Sequence, residues 1–169
     1  VVDMLNASHR TRKNQMIPRV QYQPVPGRYN DRPQSMRNTL FLNRGFGLFS
    51  ELANYAGIVA SDWSWCPVFM DVDLDGLEDV LITNGVERNA RHLDTIIKLK
   101  KQRESKKMTN REILLARRVF PAQNTPNLAF RNLGELKFAE SASEWGFDTK
   151  GVSHGMACGD LDGDGVADG

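Results

Sequence analysis

The chain has few of the features that would assign it at once to a common class of protein. None of its apolar runs approaches the roughly 18–20 residues of a membrane-spanning helix, and no basic-then-apolar leader is visible around Val1 and Val2. Its two cysteines, Cys66 and Cys158, are too few for a disulfide scaffold or a four-cysteine zinc site. An internal repeat of 89 residues puts the two cysteines three residues out of step on strands that run the same way, about 10 Å apart along the strand and beyond the roughly 7 Å Cα limit of a disulfide, so we expect both to be free thiols.

Motifs for catalysis are also missing. The three histidines, His9, His92 and His154, lie far apart, and none has the spacing to a second ligand that zinc hydrolases use. The sequence contains no Gly-x-Ser-x-Gly elbow, phosphate loop or dinucleotide fingerprint. We therefore predict no catalytic residues in this chain.

Acidic residues are concentrated in two short stretches, although the formal net charge is only +1. Residues 71–79 and 160–168 together hold 9 of the 21 acidic residues and no basic one. The rest of the chain carries all 22 Lys and Arg residues against 12 acidic ones. Carboxylates at that density repel one another unless a cation lies among them. The two stretches are therefore the first indication of metal binding.

The two acidic stretches belong to an internal repeat. A shift of 89 residues aligns positions 38–79 with 127–168 without a gap and gives 14 identities in 42 positions. Chance at ordinary residue frequencies would give roughly 2–3 identities. The matched pairs include Asn38/Asn127, Phe41/Phe130, Asn43/Asn132, Gly45/Gly134, Phe49/Phe138, Glu51/Glu140, Ala53/Ala142 and Gly57/Gly146.

Each copy has the pattern of a set of short strands. Alternating runs at 38–43 and 48–52 predict a hairpin, and 127–132 with 136–140 predict its counterpart. Apolar runs at 65–70 and 156–159 precede the acidic loops, and the β-branched run at 80–83 predicts a further strand. The sequence therefore predicts a mainly β fold.

Residues 85–126 form an insertion of another character. Ile96, Ile97 and Leu99 indicate a helix near 91–107, and Thr109 followed by Glu112 is a capping-box pattern that predicts a second helix over about 110–119. The stretch 98–118 carries nine basic residues against two acidic ones. It is either a solvated helical face or a patch for anionic glycans, lipid headgroups or nucleic acid, and no specific nucleic-acid signal is present.

Both acidic stretches have the pattern Asp-x-Asp-x-Asp-Gly-x-x-Asp. Alternating carboxylates in a tight loop converge on one centre, and the Gly allows the positive φ that turns the chain back. Calcium takes six to eight oxygen ligands, whereas magnesium prefers a tighter octahedron with retained waters. We therefore interpret both loops as calcium sites. The expected ligands are the side chains of Asp71, Asp73, Asp75 and Asp79 with the Leu77 carbonyl, and the side chains of Asp160, Asp162, Asp164 and Asp168 with the Val166 carbonyl.

Two other interpretations of these loops are weaker. Solvated acidic turns would not explain why the pattern recurs at the same position of an aligned repeat. An EF-hand needs an acidic bidentate ligand at the twelfth loop position, which is Ile82 here, and it needs flanking helices where 80–83 is strand-like. A calcium loop between strands fits the pattern better.

On these residues the chain resembles the FG-GAP or VCBS repeat family, calcium-binding β-propellers related to the integrin α-subunit head. The likeness is greatest to large bacterial VCBS proteins that often end in an ASPIC/UnbV domain. Cys66 and Pro67 depart from the pattern, because they occupy a strand position where the family tends to small residues. The segments that carry the resemblance are 38–43, 45–49, 56–57, 62–65, 71–79 and 81–85, with 127–132, Phe138, 145–146 and 153–155 in the second copy.

The resemblance implies four-stranded antiparallel blades arranged around an axis. On that basis we expect a β-propeller fragment with partly helical insertions. Residues 1–52 would be the end of a preceding blade with a loop-rich insertion at 5–37. Residues 64–140 would be one full blade with the helical insertion 85–126, and 153–169 would supply the first strand and calcium loop of the next.

The resemblance also implies a protein that is secreted, at the cell surface or periplasmic. Calcium would have a structural role, and the module would serve binding or adhesion toward an extracellular protein or glycan. The alternative is the propeller portion of a secreted enzyme that acts on a polysaccharide or a redox substrate.

Overall fold

The computed structural model describes residues 1–15, 36–105, 108–160 and 163. Within these residues strand is more abundant than helix, and the strands pair in antiparallel sheets. The prediction of a mainly β fold is therefore confirmed. No closed propeller is seen in the described ranges, so the propeller itself stays a prediction.

The strands are β1 (Phe41–Asn43), β2 (Phe49–Glu51), β3 (Ser64–Met70), β4 (Asp79–Asn84), β5 (Val86–Arg88), β6 (Ala122–Gln123), β7 (Thr125–Pro126), β8 (Leu128–Asn132), β9 (Phe138–Glu140) and β10 (Lys150–Gly151). The helices are α1 (His9–Lys13), α2 (Ala53–Ala56), α3 (Leu93–Ser105) and α4 (Asn110–Ala116), with a 3-10 turn at Arg117–Val119.

The largest sheet has four strands in the order β3, β4, β8 and β9. Its spatial order is therefore the same as the order along the chain, with β5, β6 and β7 between β4 and β8. Met70 lies opposite Asp79, which makes the acidic loop the connection between β3 and β4. The helical insertion separates β4 from β8, yet the two strands pair directly. The β8–β9 hairpin completes the sheet.

The core lies on both faces of β4, whose six residues are all buried. Val80 and Ile82 face one side, where they pack with Phe130 and with residues of α2. Leu81 faces the other side, where it packs with Ala129 and Ala142. Successive residues of a strand point to opposite faces, so the apolar run Val80–Ile82 of this strand reflects the fact that both of its faces are covered.

The 89-residue repeat is also present in the hydrogen bonds and in the strand pairing. In the first copy the Ala53 N–H donates to Glu51 Oε1 at 2.9 Å, and in the second the Ala142 N–H donates to Glu140 Oε1 at 3.0 Å. The hairpin pairs also correspond. They are Phe41 with Glu51 and Asn43 with Phe49 in the first copy, and Phe130 with Glu140 and Asn132 with Phe138 in the second.

The two predicted helices of the insertion are present as α3 and α4. Thr109 caps α4, since its hydroxyl accepts the Glu112 N–H at 3.3 Å while Glu112 Oε2 accepts the Thr109 N–H at 2.8 Å. The capping box read from the sequence is therefore confirmed. No helix among the described residues is both long and apolar enough to cross a bilayer.

Some elements differ from the expectation. The loop-rich insertion 5–37 begins with helix α1, which Ser8 caps, while its residues 16–35 lie outside the described ranges. The strand expected at 156–159 is reduced to a single bridge residue, Gly159. In the first copy the corresponding strand is held by β4, which begins at Asp79, and the 89-residue register puts the counterpart of Asp79 at Asp168, outside the described residues. The two cysteines are free, as the sequence predicts.

Candidate metal centre

The acidic loop occupies residues 71–78, between the end of β3 and the start of β4. Its reversal depends on two residues with positive φ, Leu74 at 59° and Gly76 at 89°. Glycine adopts this conformation without strain, whereas leucine does so at some cost. The turn returns the chain to pair with β3, so the first and last acidic residues of the loop lie at the same end of the sheet.

Three of the predicted ligands come together in this loop. One carboxylate oxygen from each of Asp71, Asp73 and Asp79 lies within 4.8 Å of the other two. Two oxygens bound to one calcium ion at about 2.3–2.6 Å can be at most roughly 4.6–5.2 Å apart. The three carboxylates can therefore hold a metal ion together.

Asp71 is oriented by the backbone of the loop itself. Its Oδ1 accepts the N–H of Asp75 at 3.0 Å, and its Oδ2 accepts the N–H of Gly76 at 2.9 Å. Each carboxylate oxygen has further lone-pair sites beyond the one used here. The side chain can therefore close the turn and bind a cation at the same time.

Asp79 is fully buried and joins the loop to the rest of the sheet. Its Oδ2 accepts the Val72 N–H at 3.0 Å, and its Oδ1 accepts the N–H of Asn132, at the end of β8, at 2.7 Å. The Asn132 side chain in turn donates to the Glu78 carbonyl at 3.0 Å. This role of Asn132 is not among the sequence-based predictions, although its identity with Asn43 in the repeat marks the position.

Asp73 gives the clearest test of whether the loop fits a cation. Its Oδ2 forms an ion pair with Arg131 Nε at 2.7 Å, without the alignment of a hydrogen bond. Its Oδ1 is buried and has no hydrogen-bond partner. A buried carboxylate oxygen without a partner is costly, and a metal ion shared with Asp71 and Asp79 would satisfy it.

Arg131 is held above the loop by its other contacts. Its guanidinium carbon lies 5.3 Å from the ring centre of Trp145, and its Nη1 lies 3.7 Å from Glu144 Oε1. Nothing in the sequence pattern of the loop indicates an arginine at this position.

The remaining predicted ligands of the first loop are placed differently. Asp75 is exposed, and its Oδ1 accepts the Leu77 N–H at 2.8 Å. It does not belong to the group formed by Asp71, Asp73 and Asp79. The ligand roles of Asp75 and of the Leu77 carbonyl stay predictions.

Only part of the second acidic loop can be compared. Asp160 Oδ1 accepts the Gly163 N–H at 2.6 Å, and Gly163 has a φ of 81° where its counterpart Leu74 has 59°. The two loops thus share a positive φ at this position, whereas the hydrogen bond differs, because Asp71 Oδ1 accepts from Asp75, one position later in the repeat. The other predicted ligands, Asp162, Asp164, Val166 and Asp168, lie outside the described residues.

The basic insertion contains a cavity of about 420 Å³ between α3 and α4. Ile96, Leu99 and other apolar side chains line it together with three basic residues, Lys100, Arg103 and Arg117. All three basic residues are exposed. Lys106 and Lys107, in the same basic stretch, lie outside the described residues.

Fold and site together define a mainly β protein in which a strand-connecting loop groups three carboxylates that can hold a metal ion. Comparisons with protein-family models, curated proteins and solved structures gave no significant match to this chain.

Proposed function

We propose that the chain is a calcium-binding repeat module of the FG-GAP/VCBS type, from an exported protein, that serves binding or adhesion. The observation that carries the proposal is the grouping of Asp71, Asp73 and Asp79 in a loop whose full pattern recurs 89 residues later. Calcium in this proposal has a structural role, and no residue of the chain has a catalytic one.

The donor set supports calcium over other ions. All three grouped ligands are carboxylate oxygens, which suit hard cations such as calcium and magnesium rather than zinc or copper. Magnesium demands a tight octahedron, whereas calcium accepts an irregular and larger ligand set. A loop that closes around backbone N–H groups and carries further carboxylates at its exposed tip fits the more tolerant ion.

A structural role for the ion follows from the position of the loop. Asp79 ties the loop to β8 through Asn132, so a cation bound by Asp79 would connect three strands of the sheet. An ion that binds only the folded state stabilises it by about 2.7 kcal/mol at a concentration of 100 Kd. The same ion would relieve repulsion among the loop carboxylates.

The metal assignment is tested by calorimetric titration of the full chain with calcium and, separately, with magnesium. We expect calcium to bind more tightly than magnesium and Asp73→Asn to lose the binding at the first loop. Asp148→Asn is the matched control, because it removes an exposed carboxylate outside both loops. Absence of calcium uptake by the folded chain would exclude the proposal.

For the partner, we propose an extracellular protein or glycan with anionic groups that contacts the basic insertion. Support comes from the three exposed basic residues, Lys100, Arg103 and Arg117, that line one cavity. Neighbouring cations repel one another, so this arrangement favours a negatively charged partner.

A further inference from the structure

Helices α3 and α4 of the insertion have apolar side chains that the described residues leave uncovered. Thr95 is the one buried residue of α3, and α4 has none. Ile97, Leu114 and Leu115 are 44%, 62% and 49% exposed. A helix in a globular protein gains most of its stability when its apolar face packs against another element. The two helices therefore offer apolar surface to another molecule.

The two walls of the cavity between α3 and α4 have the same side-chain spacing. The lining residues of α3 follow the spacing i, i+3, i+4 and i+7, and so do those of α4 and the turn after it. Residues with this spacing lie on one face of a helix. We call this cavity the basic groove. Its lining residues are Ile96, Leu99, Lys100 and Arg103 on one side and Ile113, Ala116, Arg117 and Phe120 on the other.

The charges that line the basic groove are all positive. Lys100, Arg103 and Arg117 are exposed, the other five lining residues are apolar, and no described lining residue is acidic. A smaller cavity of about 250 Å³ also lies between these helices, but its lining contains Glu112 and no described basic residue. An anionic ligand with an apolar side is therefore directed to the basic groove.

This combination of apolar and basic residues distinguishes among anionic ligands. A sulfated glycan can pair with the basic residues, but it has no apolar face to bury against Ile113 and Phe120. A bilayer surface is broad, so it would contact exposed side chains such as Leu114 as readily as those inside the groove. Residues 16–35 of this chain carry three arginines and one aspartate, so their charge does not complement the groove.

We propose that the basic groove binds an acidic amphipathic helix of a partner protein. Such a helix places apolar residues at i, i+3, i+4 and i+7 into an apolar groove, which is the spacing of both groove walls. Its apolar side chains would contact Leu99, Ile113 and Phe120, and its acidic residues would pair with the exposed basic ones. The inference rests on the proposed binding role of the insertion and names the class of partner.

The probe is a fluorescently labelled peptide of about 18 residues, or five helical turns, with leucine on one face and glutamate elsewhere. Fluorescence anisotropy measures its binding to the full chain. The controls are a scrambled peptide of the same composition and a peptide with lysine in place of glutamate. We expect the acidic amphipathic peptide to bind roughly tenfold more tightly than either control. This comparison needs no variant of the chain, so no effect of a substitution on folding enters it.

Two pairs of adjacent residues then test whether the groove is the site. Ile113→Gln should weaken peptide binding by roughly tenfold and Arg117→Gln by roughly fivefold, because both residues line the groove. Leu114→Gln and Arg118→Gln make the same chemical changes at exposed positions outside its lining, and each should change the Kd by less than about twofold. Thermal unfolding of all four variants checks that the fold is retained.

Heparin binding and calcium binding, measured in parallel, separate this inference from the proposed function. The inference is overturned and an anionic glycan partner stands if heparin binds but the acidic amphipathic peptide binds no better than the scrambled one. If neither heparin nor the peptide binds, the proposed partner fails as well. A loss with Leu114→Gln as large as with Ile113→Gln would indicate a broad apolar contact such as a membrane, which also overturns the inference. Titrations with and without calcium show a failure of the metal site separately.

Discussion

Arg131 Nε lies 2.7 Å from Asp73 Oδ2, so the chain places a cation of its own beside a predicted metal ligand. The guanidinium neutralises one of three grouped carboxylates, which lets the loop keep its shape without a metal ion. The same positive charge repels an incoming divalent cation. The ion pair therefore lowers the affinity of the loop for metal in return for stability of the metal-free fold.

Replacement of Arg131 by glutamine should tighten calcium binding. Removal of the guanidinium charge frees Asp73 Oδ2 and raises the negative potential of the loop, and we expect the Kd to fall by roughly three- to tenfold. Calorimetric titration measures the change. Arg44→Gln, which removes an exposed arginine from the first hairpin, is the control for net charge, and an equal effect of both variants would contradict the prediction.

Substitution of Asp79 by asparagine should destabilise the fold even in the presence of a chelator. Asp79 is fully buried and accepts two backbone N–H groups, and an amide nitrogen at one of those positions would leave an N–H unpaired at a cost of about 1–3 kcal/mol. Asp73→Asn should cost no more than about 1 kcal/mol under the same conditions, because it loses only a partly exposed ion pair. Urea unfolding with chelator present compares the two, and equal losses would argue against the bridging role of Asp79.

Gly85→Ala should be far more destabilising than Gly146→Ala. Both glycines have positive φ, at 128° and 69°. A Cβ on Gly85 would overlap the carbonyl oxygen of Gly151 and lie 2.9 Å from the Cα of Val152, whereas a Cβ on Gly146 would have nothing within 4 Å. We expect a loss of more than about 3 kcal/mol at Gly85 and about 1–2 kcal/mol at Gly146. Thermal unfolding of the two variants gives the comparison, and similar midpoints would show that β4 and the 150–152 segment do not approach as described.

Asp62→Asn should change how stability depends on pH. Burial raises the pKa of Asp62 in the folded state, so the contribution of this group is fully present below the unfolded pKa of about 3.9 and is lost as the pH rises through the folded value. Asparagine cannot ionise, tolerates the positive φ of this position and keeps the acceptor for Ala7. The variant should therefore gain stability relative to the parent chain between acidic and neutral pH.

Unfolding midpoints at about pH 3.5 and pH 7 test the prediction for Asp62. Asp148→Asn, which removes an exposed carboxylate, is the control. A difference between parent and Asp62→Asn that is the same at both pH values would contradict it.

Charge reversal in the basic insertion should weaken association with anionic surfaces. The double variant Lys100→Glu, Arg103→Glu should lose binding to an immobilised sulfated glycan, and the loss should be largest at low salt because the attraction is screened at high salt. Lys13→Glu combined with Arg44→Glu makes the same change in net charge at exposed positions elsewhere. Equal losses of glycan binding would show that net charge, and not the insertion, is responsible.

The sequence predicts those features that depend on neighbouring residues. The capping box of Thr109 and Glu112 is a local pattern, and the hairpins are marked by alternation and glycine turns, so both can be read from short windows. The roles of Asn132 and Arg131 at the metal centre could not be read in this way. They depend on the register between β8 and a loop more than fifty residues earlier, which only the folded sheet sets.

At 156–159 the sequence predicts a strand of which the structure forms only the bridge residue Gly159. Its composition resembles that of β3, but a strand is held by hydrogen bonds to a neighbour, and the pattern of one segment does not reveal whether that neighbour is present. Helix α1 was missed for a related reason, since five residues give too short a period to recognise.

The matching hydrogen bonds of the two copies close within each hairpin and the linker that follows it, and the helical insertion lies outside that set. The repeated hairpins and their linkers thus share one hydrogen-bonding pattern, and the helical insertion has no part in it. An insertion can differ in length, charge and helix content without altering the register that brings Asn132 to Asp79. In a duplicated architecture of this kind, new surfaces can arise by change in the insertions alone, while the loop that groups Asp71, Asp73 and Asp79 keeps its setting.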